Sequence, residues 1–183
     1  MPVYNALGEK ICLMIVFKEK CGELPKKFRP VHGASTDVRA SNNGWHQTHL
    51  VVEMVKKLPP LNGRPGLVVI DHYYGHVDKS TKAAIREKGY DVVYTAAACT
   101  AFTNPADITL NKPLKDRIRS AWHDKRGNDS TWSPDRQCLI GAVEESWNAM
   151  PSDTLAKGFL MAGISNAMDG TEDDWVWLDR PKN

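Results

Sequence analysis

The chain has 183 residues, of which 42% are apolar and 25% charged, and carries a net charge of +2. These are the proportions of a globular protein with a sizeable core, most simply one domain. No apolar run approaches the ~20 residues of a membrane span, and residues 1–10 lack the charged-then-apolar order of a secretion signal, so the expected place is inside the cell, with no membrane.

In chain order, the first apolar run covers residues 11–17. It is short, holds Ile and Val, and is bounded by Gly8 and by Lys18-Glu19-Lys20, which predicts a buried strand. Residues 18–44 are rich in Lys, Gly, Pro, Ser and Asn and read as a long connection with a short strand near Val38. Residues 45–58 repeat apolar side chains at Leu50, Met54 and Leu58 with Val51 and Val55 beside them, a helical pattern that Ser41 or Asn43 would cap. Pro59-Pro60 ends it.

Residues 67–71 form a continuously apolar strand closed by Asp71, as expected of a central strand covered on both faces. Residues 79–88 predict a helix capped by Asp78 and stopped by Gly89, and residues 91–94 a strand parallel to 67–71, because strand–helix–strand at this length fits a crossover unit. Residues 95–105 read as a loop. From Asp107 to about His123, Leu110, Leu114 and Ile118 share a helix face with Asp107. That face turns Asp107 toward the sheet and the end of the Asp71 strand, and leaves Lys112, Lys115 and Arg119 on a neighbouring face open to a ligand. Pro113 interrupts this pattern unless it falls in a first turn. Residues 124–134 form a polar linker, followed by helices at 135–149 and 153–163, the second capped by Ser152 or Asp153.

The chemistry-bearing residues are Asp71 and Asp107, since two facing carboxylates are the minimum for holding a divalent cation through oxygen. The bland alternatives are a loop-anchoring Asp after a strand and a helix N-cap. Cys12, Cys21, Cys99 and Cys138 contain no C-x-x-C pair. They are expected to be reduced, with Cys12 and Cys99 buried, and not to form a disulfide framework. No ligand partners accompany His32, His46, His49 or His123. Trp122, Trp132, Trp147, Trp175 and Trp177 are expected to pack the C-terminal helices. Tyr73 and Tyr74 are expected to pack over the strand end. No phosphate loop, nucleophile elbow or zinc signature is present.

An ordered set of motifs resembles the catalytic domain of DDE-type transposases of the pogo and jerky kind, members of the ribonuclease H-like superfamily. Asn42-Asn43-Gly44-Trp45 resembles "S-x-N-G-W". Val69-Ile70-Asp71-His72 with Gly75-His76 resembles "L-L-D-N-x-x-x-H". Asn104-Pro105-Ala106-Asp107 followed by Lys112-Pro113-Leu114-Lys115 resembles "Q-P-L-D" and its basic helix. Trp147, Phe159, Ala162-Gly163-Ile164 and Asp169-Gly170-Thr171-Glu172-Asp173 resemble the tail "W … F-x-x-x-G-I … D-G-x-E-D".

The resemblance implies an α/β, ribonuclease H-like three-layer fold, with a central mixed sheet flanked by helices and its first strand or strands lacking. Residues 1–123 would form the partial DDE core, and 124–183 a C-terminal helical extension of the same domain with an acidic tail. It also implies an ancestral endonuclease and strand-transfer activity with Mg2+ or Mn2+. In that activity Asp71 and Asp107 are the second and third catalytic, metal-holding acids, and His76 is a histidine beside them. Lys112, Lys115 and Arg119 would contact DNA, and the location would be the nucleus. The chain departs from the family pattern at its first acid. Residues 1–10 offer only Glu9, and Asp37 lies beyond the first strand. The family's helix-turn-helix region is missing as well. The expectation is a transposase-derived nucleic-acid-binding protein that is inactive alone and holds metal weakly. The alternatives are an active nuclease whose first acid lies upstream, or a domesticated protein-interaction module. An uncovered sheet edge would favour association into a homo-oligomer.

Overall fold

The computed structural model describes residues 1–20, 36–96, 99–127 and 135–176. Most of the expected 18–44 connection and of the 124–134 linker lies outside the described residues, as do Cys21, His32, Trp132 and Trp177. The elements are β1 (Pro2–Tyr4), β2 (Lys10–Lys18), β3 (Thr36–Ser41), α1 (Thr48–Val55), β4 (Leu67–Ile70), α2 (Tyr74–Val77), α3 (Lys79–Glu87), β5 (Asp91–Tyr94), α4 (Thr100–Thr103), a π-helical turn (Ala106–Leu110), α5 (Asn111–Arg126), α6 (Arg136–Asn148) and α7 (Ser152–Met161). A 3-10 turn, Asp173–Trp175, follows. No helix among the described residues is long and apolar enough to cross a membrane.

The architecture is α/β with a mixed sheet. β2 is the middle strand, antiparallel to β1 and parallel to β3. β4 and β5 form a separate two-stranded parallel sheet in the register Leu67↔Asp91 to Ile70↔Tyr94. The parallel β4–α3–β5 unit is as expected. The single central sheet is not, because no strand among the described residues bridges the two.

β2 is covered on both faces, as its period of two requires. Leu13 joins Leu110, Leu114, Trp147, Met150 and Leu155 in one cluster, with Tyr4, Ile15 and Ile118 against it. Cys12 and Met14 turn to the other side and meet Leu50 and Met54 of α1. A third cluster joins Val55 of α1 to Ile85, Tyr90, Val68, Ile70 and Val92. β4 was expected to be covered on both faces, and it is not. Val68 and Ile70 pack inward, while Leu67 and, on β5, Val93 are 51% and 49% exposed. The helices that would cover the second face, α5 to α7, are instead occupied with β1 and β2.

Helix ends follow local chemistry. Asp78 accepts from the Ser80 N–H at 2.8 Å and caps α3. Gly89, at φ +84, closes α3 with the paired bonds Gly89 N–H to Arg86 O and Tyr90 N–H to Ile85 O, the arrangement only a left-handed residue permits. α1 is shorter than the expected 45–58, and Ser41 and Asn43 do not cap it. They fold the turn ahead of it, and the N-cap is Gln47 with no side-chain bond. α7 likewise follows Pro151, not a Ser152 or Asp153 cap. The expected 95–105 loop contains α4. Cys99, expected buried, is exposed at its start, while Cys12 is buried.

Pro113 leaves its mark. It cannot donate to the Thr109 carbonyl, and its ring would crowd the turn before it. That turn widens to π spacing, with the Asn111 N–H reaching Ala106 O. The helix has therefore begun well before Lys112.

Candidate functional site

Asp71 follows the last residue of β4. Its Oδ1 accepts two bonds, from the Tyr73 N–H at 3.0 Å and from the His76 Nδ1–H at 2.6 Å. The first is a local turn of the kind Asp forms after a strand. The second fixes the ring, so that in the neutral imidazole Nε2 is the basic nitrogen. The His76 bond holds the Asp71 carboxyl below its ordinary value of 3.8; burial opposes this, and the Tyr73 N–H adds to it. A carboxylate with a depressed folded pKa contributes stability above its unfolded pKa and loses that contribution as pH falls through the folded value. In His76→Ala, the Asp71 carboxyl carbon is therefore expected to titrate at higher pH by NMR than in the parent. An unmoved titration would show that His76 does not hold it.

Asp107 stands at the third position of its helix. Asn104 is extended, with φ −98 and ψ 112, and its Oδ1 accepts from the Ala106 N–H at 3.1 Å, while Pro105 supplies the preset first turn. The capping residue is Asn104, so the N-cap alternative for Asp107 does not apply. Both Asp107 oxygens are occupied. Asn111 Nδ2 donates to Oδ1 at 2.6 Å and Asn104 Nδ2 to Oδ2 at 3.1 Å. Asp107 also lies beside Tyr4 of β1, whose hydroxyl pKa is pushed up first by burial and then by this carboxylate. The side chain thus turns toward the β1–β2–β3 sheet, on the side of Leu110 and Leu114.

The structure brings Asp71 and His76 together, and gives Asp71 and Asp107 different partners. Among the described residues no group of three or more His, Cys, Asp or Glu is placed to hold a metal ion. Neither candidate for a first acid joins Asp71. Glu9 accepts from Asn5 Nδ2 at 2.6 Å, and Asp37 pairs with Lys57 at 2.5 Å and with Arg39 at 3.8 Å. The donor set does not fit a two-ion centre, which needs several free carboxylate oxygens around each ion.

Lys112, Lys115 and Arg119 are all exposed on α5. Arg119 pairs with Asp116 at 2.8 Å, whereas neither lysine has an acidic partner among the described residues. Arg117 is exposed as well, but two residues from Lys115 and from Arg119 it stands on another side of the helix.

One group escaped the sequence reading. Trp45, taken as the first residue of a helix, lies outside α1 and stacks on Tyr73 at 6.0 Å and 18°. Tyr73 in turn meets Tyr74 at 4.5 Å and the edge of His76 at 5.4 Å. The available signal was Ser41-Asn42-Asn43-Gly44, a turn composition that keeps the next residue out of a helix. The two asparagines around Asp107 were legible in principle, since Asn111 is four residues on and Asn104 three back.

No family model matches the chain, and no solved structure matches it. Among curated proteins it is 23% identical over 154 residues to "Pogo transposable element with KRAB domain" of Homo sapiens, an alignment covering 77% of this chain and 25% of the relative. The protein of the same description from Mus musculus is 21% identical with the same coverage. The chain spans about a quarter of the length of the curated relatives it matches. This distant similarity supports a transposase-related origin for the chain.

Proposed function

We propose that the chain is a transposase-derived DDE domain of ribonuclease H-like fold that binds DNA and does not cut it by itself. The observation that carries this reading is the similarity to pogo transposable element proteins over 77% of the chain. The exposed cations of α5 support the DNA part, because a row of Lys and Arg on one helix face suits a phosphate backbone. Both oxygens of Asp107 are committed to asparagine amides, which supports the absence of cleavage. Both described hydrogen bonds of Asp71 fall on Oδ1, so Mg2+ or Mn2+ enters this reading only as an ion weakly held at Oδ2. Nuclear location belongs to the same proposal.

The test is fluorescence anisotropy with a labelled DNA duplex, read across salt concentration. The intact chain is expected to bind at low salt, with log affinity falling as log salt rises. Replacing Lys112, Lys115 and Arg119 together by alanine is expected to flatten that slope by about 2 to 3, close to one per phosphate contact. An unchanged slope would remove α5 from the interface. No binding by the intact chain at ~50 mM salt would overturn the DNA reading and favour a protein-interaction module.

A further inference from the structure

We propose that the open face of Trp45 is a stacking platform for an unpaired nucleobase, an assignment that rests on the DNA-binding reading and names the form of DNA taken. Trp45 is 61% exposed, yet its backbone is held at both ends. Its N–H donates to Asn43 Oδ1 at 3.0 Å, and its carbonyl accepts from Ser41 Oγ at 2.9 Å. Gly44, at φ +78, supplies the left-handed turn between them. Tyr73 backs one face of the indole in near-parallel stacking, so the ring is displayed by a fixed turn with its second face turned outward.

The platform is anchored beneath. The Tyr73 N–H is bonded to Asp71, and the ring rests on the His76 edge. Tyr74, itself 54% exposed, extends the ladder to three rings. It opens onto a concavity of about 730 Å³ whose other walls include Gln47, Thr48, Lys56 and Ser80. Exposed Lys18 lies against the turn, its Cβ 3.3 Å from where a Cβ of Gly44 would sit.

The surroundings select the occupant. An indole that anchors a protein partner sits among apolar neighbours that exclude water. Here the turn beside the indole holds Asn43 and Lys18, and the concavity beyond Tyr74 is lined mostly by polar groups, Gln47, Thr48, Lys56 and Ser80 together with Glu53, and by apolar Val52. Base stacking needs only one open π face and a nearby cation for the phosphate, and it tolerates any base. An unpaired nucleotide at a frayed or single-stranded DNA end supplies both, whereas a paired duplex buries its base faces.

The experiment compares three probes on the full chain: a duplex, the same duplex with a four-thymidine 3′ overhang, and that duplex with four abasic residues in the overhang. The overhang is expected to tighten binding by about tenfold over the blunt duplex, and the abasic overhang to lose that gain. Trp45→Ala is expected to remove the gain and leave blunt-duplex binding unchanged. Trp45→Phe keeps part of it, and circular dichroism confirms that both variants fold. An overhang gain that survives in Trp45→Ala, or with abasic residues, overturns the platform while blunt-duplex binding upholds the DNA reading. Binding of no probe by the parent chain overturns both.

Discussion

Trp147→Ala is expected to lower the unfolding free energy by about 3–5 kcal/mol, the range for deleting a buried Trp from a core that cannot collapse around the gap. Trp147 is 2% exposed and sits among Leu13, Leu110, Leu114, Met150 and Leu155. Its ring meets Tyr4 edge-on at 6.3 Å, and Lys10 Nζ lies 5.5 Å from its centre. The substitution therefore empties the contact between α6, the helix behind Asp107 and the face of β2. Urea unfolding measures it: the midpoint should fall with the slope unchanged. A loss below about 0.5 kcal/mol, the range of an ordinary surface position, would mean that this cluster is not the principal core.

Gly158→Ala is the second. A Cβ there would lie 2.6 Å from Thr109 Oγ1 and 2.7 Å from Pro105 O. Thr109 can turn aside, but the Pro105 carbonyl belongs to the backbone of the helix start, so α7 and the π-turn must separate. Overpacking of this kind costs about 1–3 kcal/mol, and for a domain of this size each kcal/mol lowers Tm by about 2–4 °C. The strain falls on the turn that carries Asp107, so the amide resonances of Asn104, Asp107 and Asn111 should move most in NMR. A variant with parental Tm and unshifted resonances would show that α7 does not press on this turn.

Elements were legible in the sequence where one local signal sufficed. The apolar run of β2, the β4–α3–β5 unit with its Asp78 cap and Gly89 stop, and the helices α5 to α7 all carry such signals. β1 was not legible. Three residues beginning with a proline have no strand signature, and its extended shape comes from pairing with β2, Val3 against Cys12. The division into two sheets was hidden for the same reason, since strand pairing is decided far along the chain. α2 is one turn containing a glycine, below what periodicity can detect. At the site, sequence reading paired Asp71 with Asp107, which hold different partners, and named beside them His76, which bonds Asp71, and the cations of α5, which are exposed. It placed Trp45 in a helix because the apolar repeat of Leu50, Met54 and Leu58 was carried back as far as the turn residues before Trp45. It treated the region of Pro113 as a choice between a helix kinked there and one starting near Lys112, where the structure has a widened turn.

The bonding of the two aspartates also bears on how such a chain ages. Asp71 closes the turn after β4, and Asp107 ties Asn104 to Asn111 across the start of a helix. Each has work in folding that is independent of any cleaved phosphodiester. Mutational drift that erased an ancestral cleavage activity would leave both positions under purifying selection through stability alone. Either aspartate is held in place by what its hydrogen bonds do for the fold, whatever chemistry the domain performs.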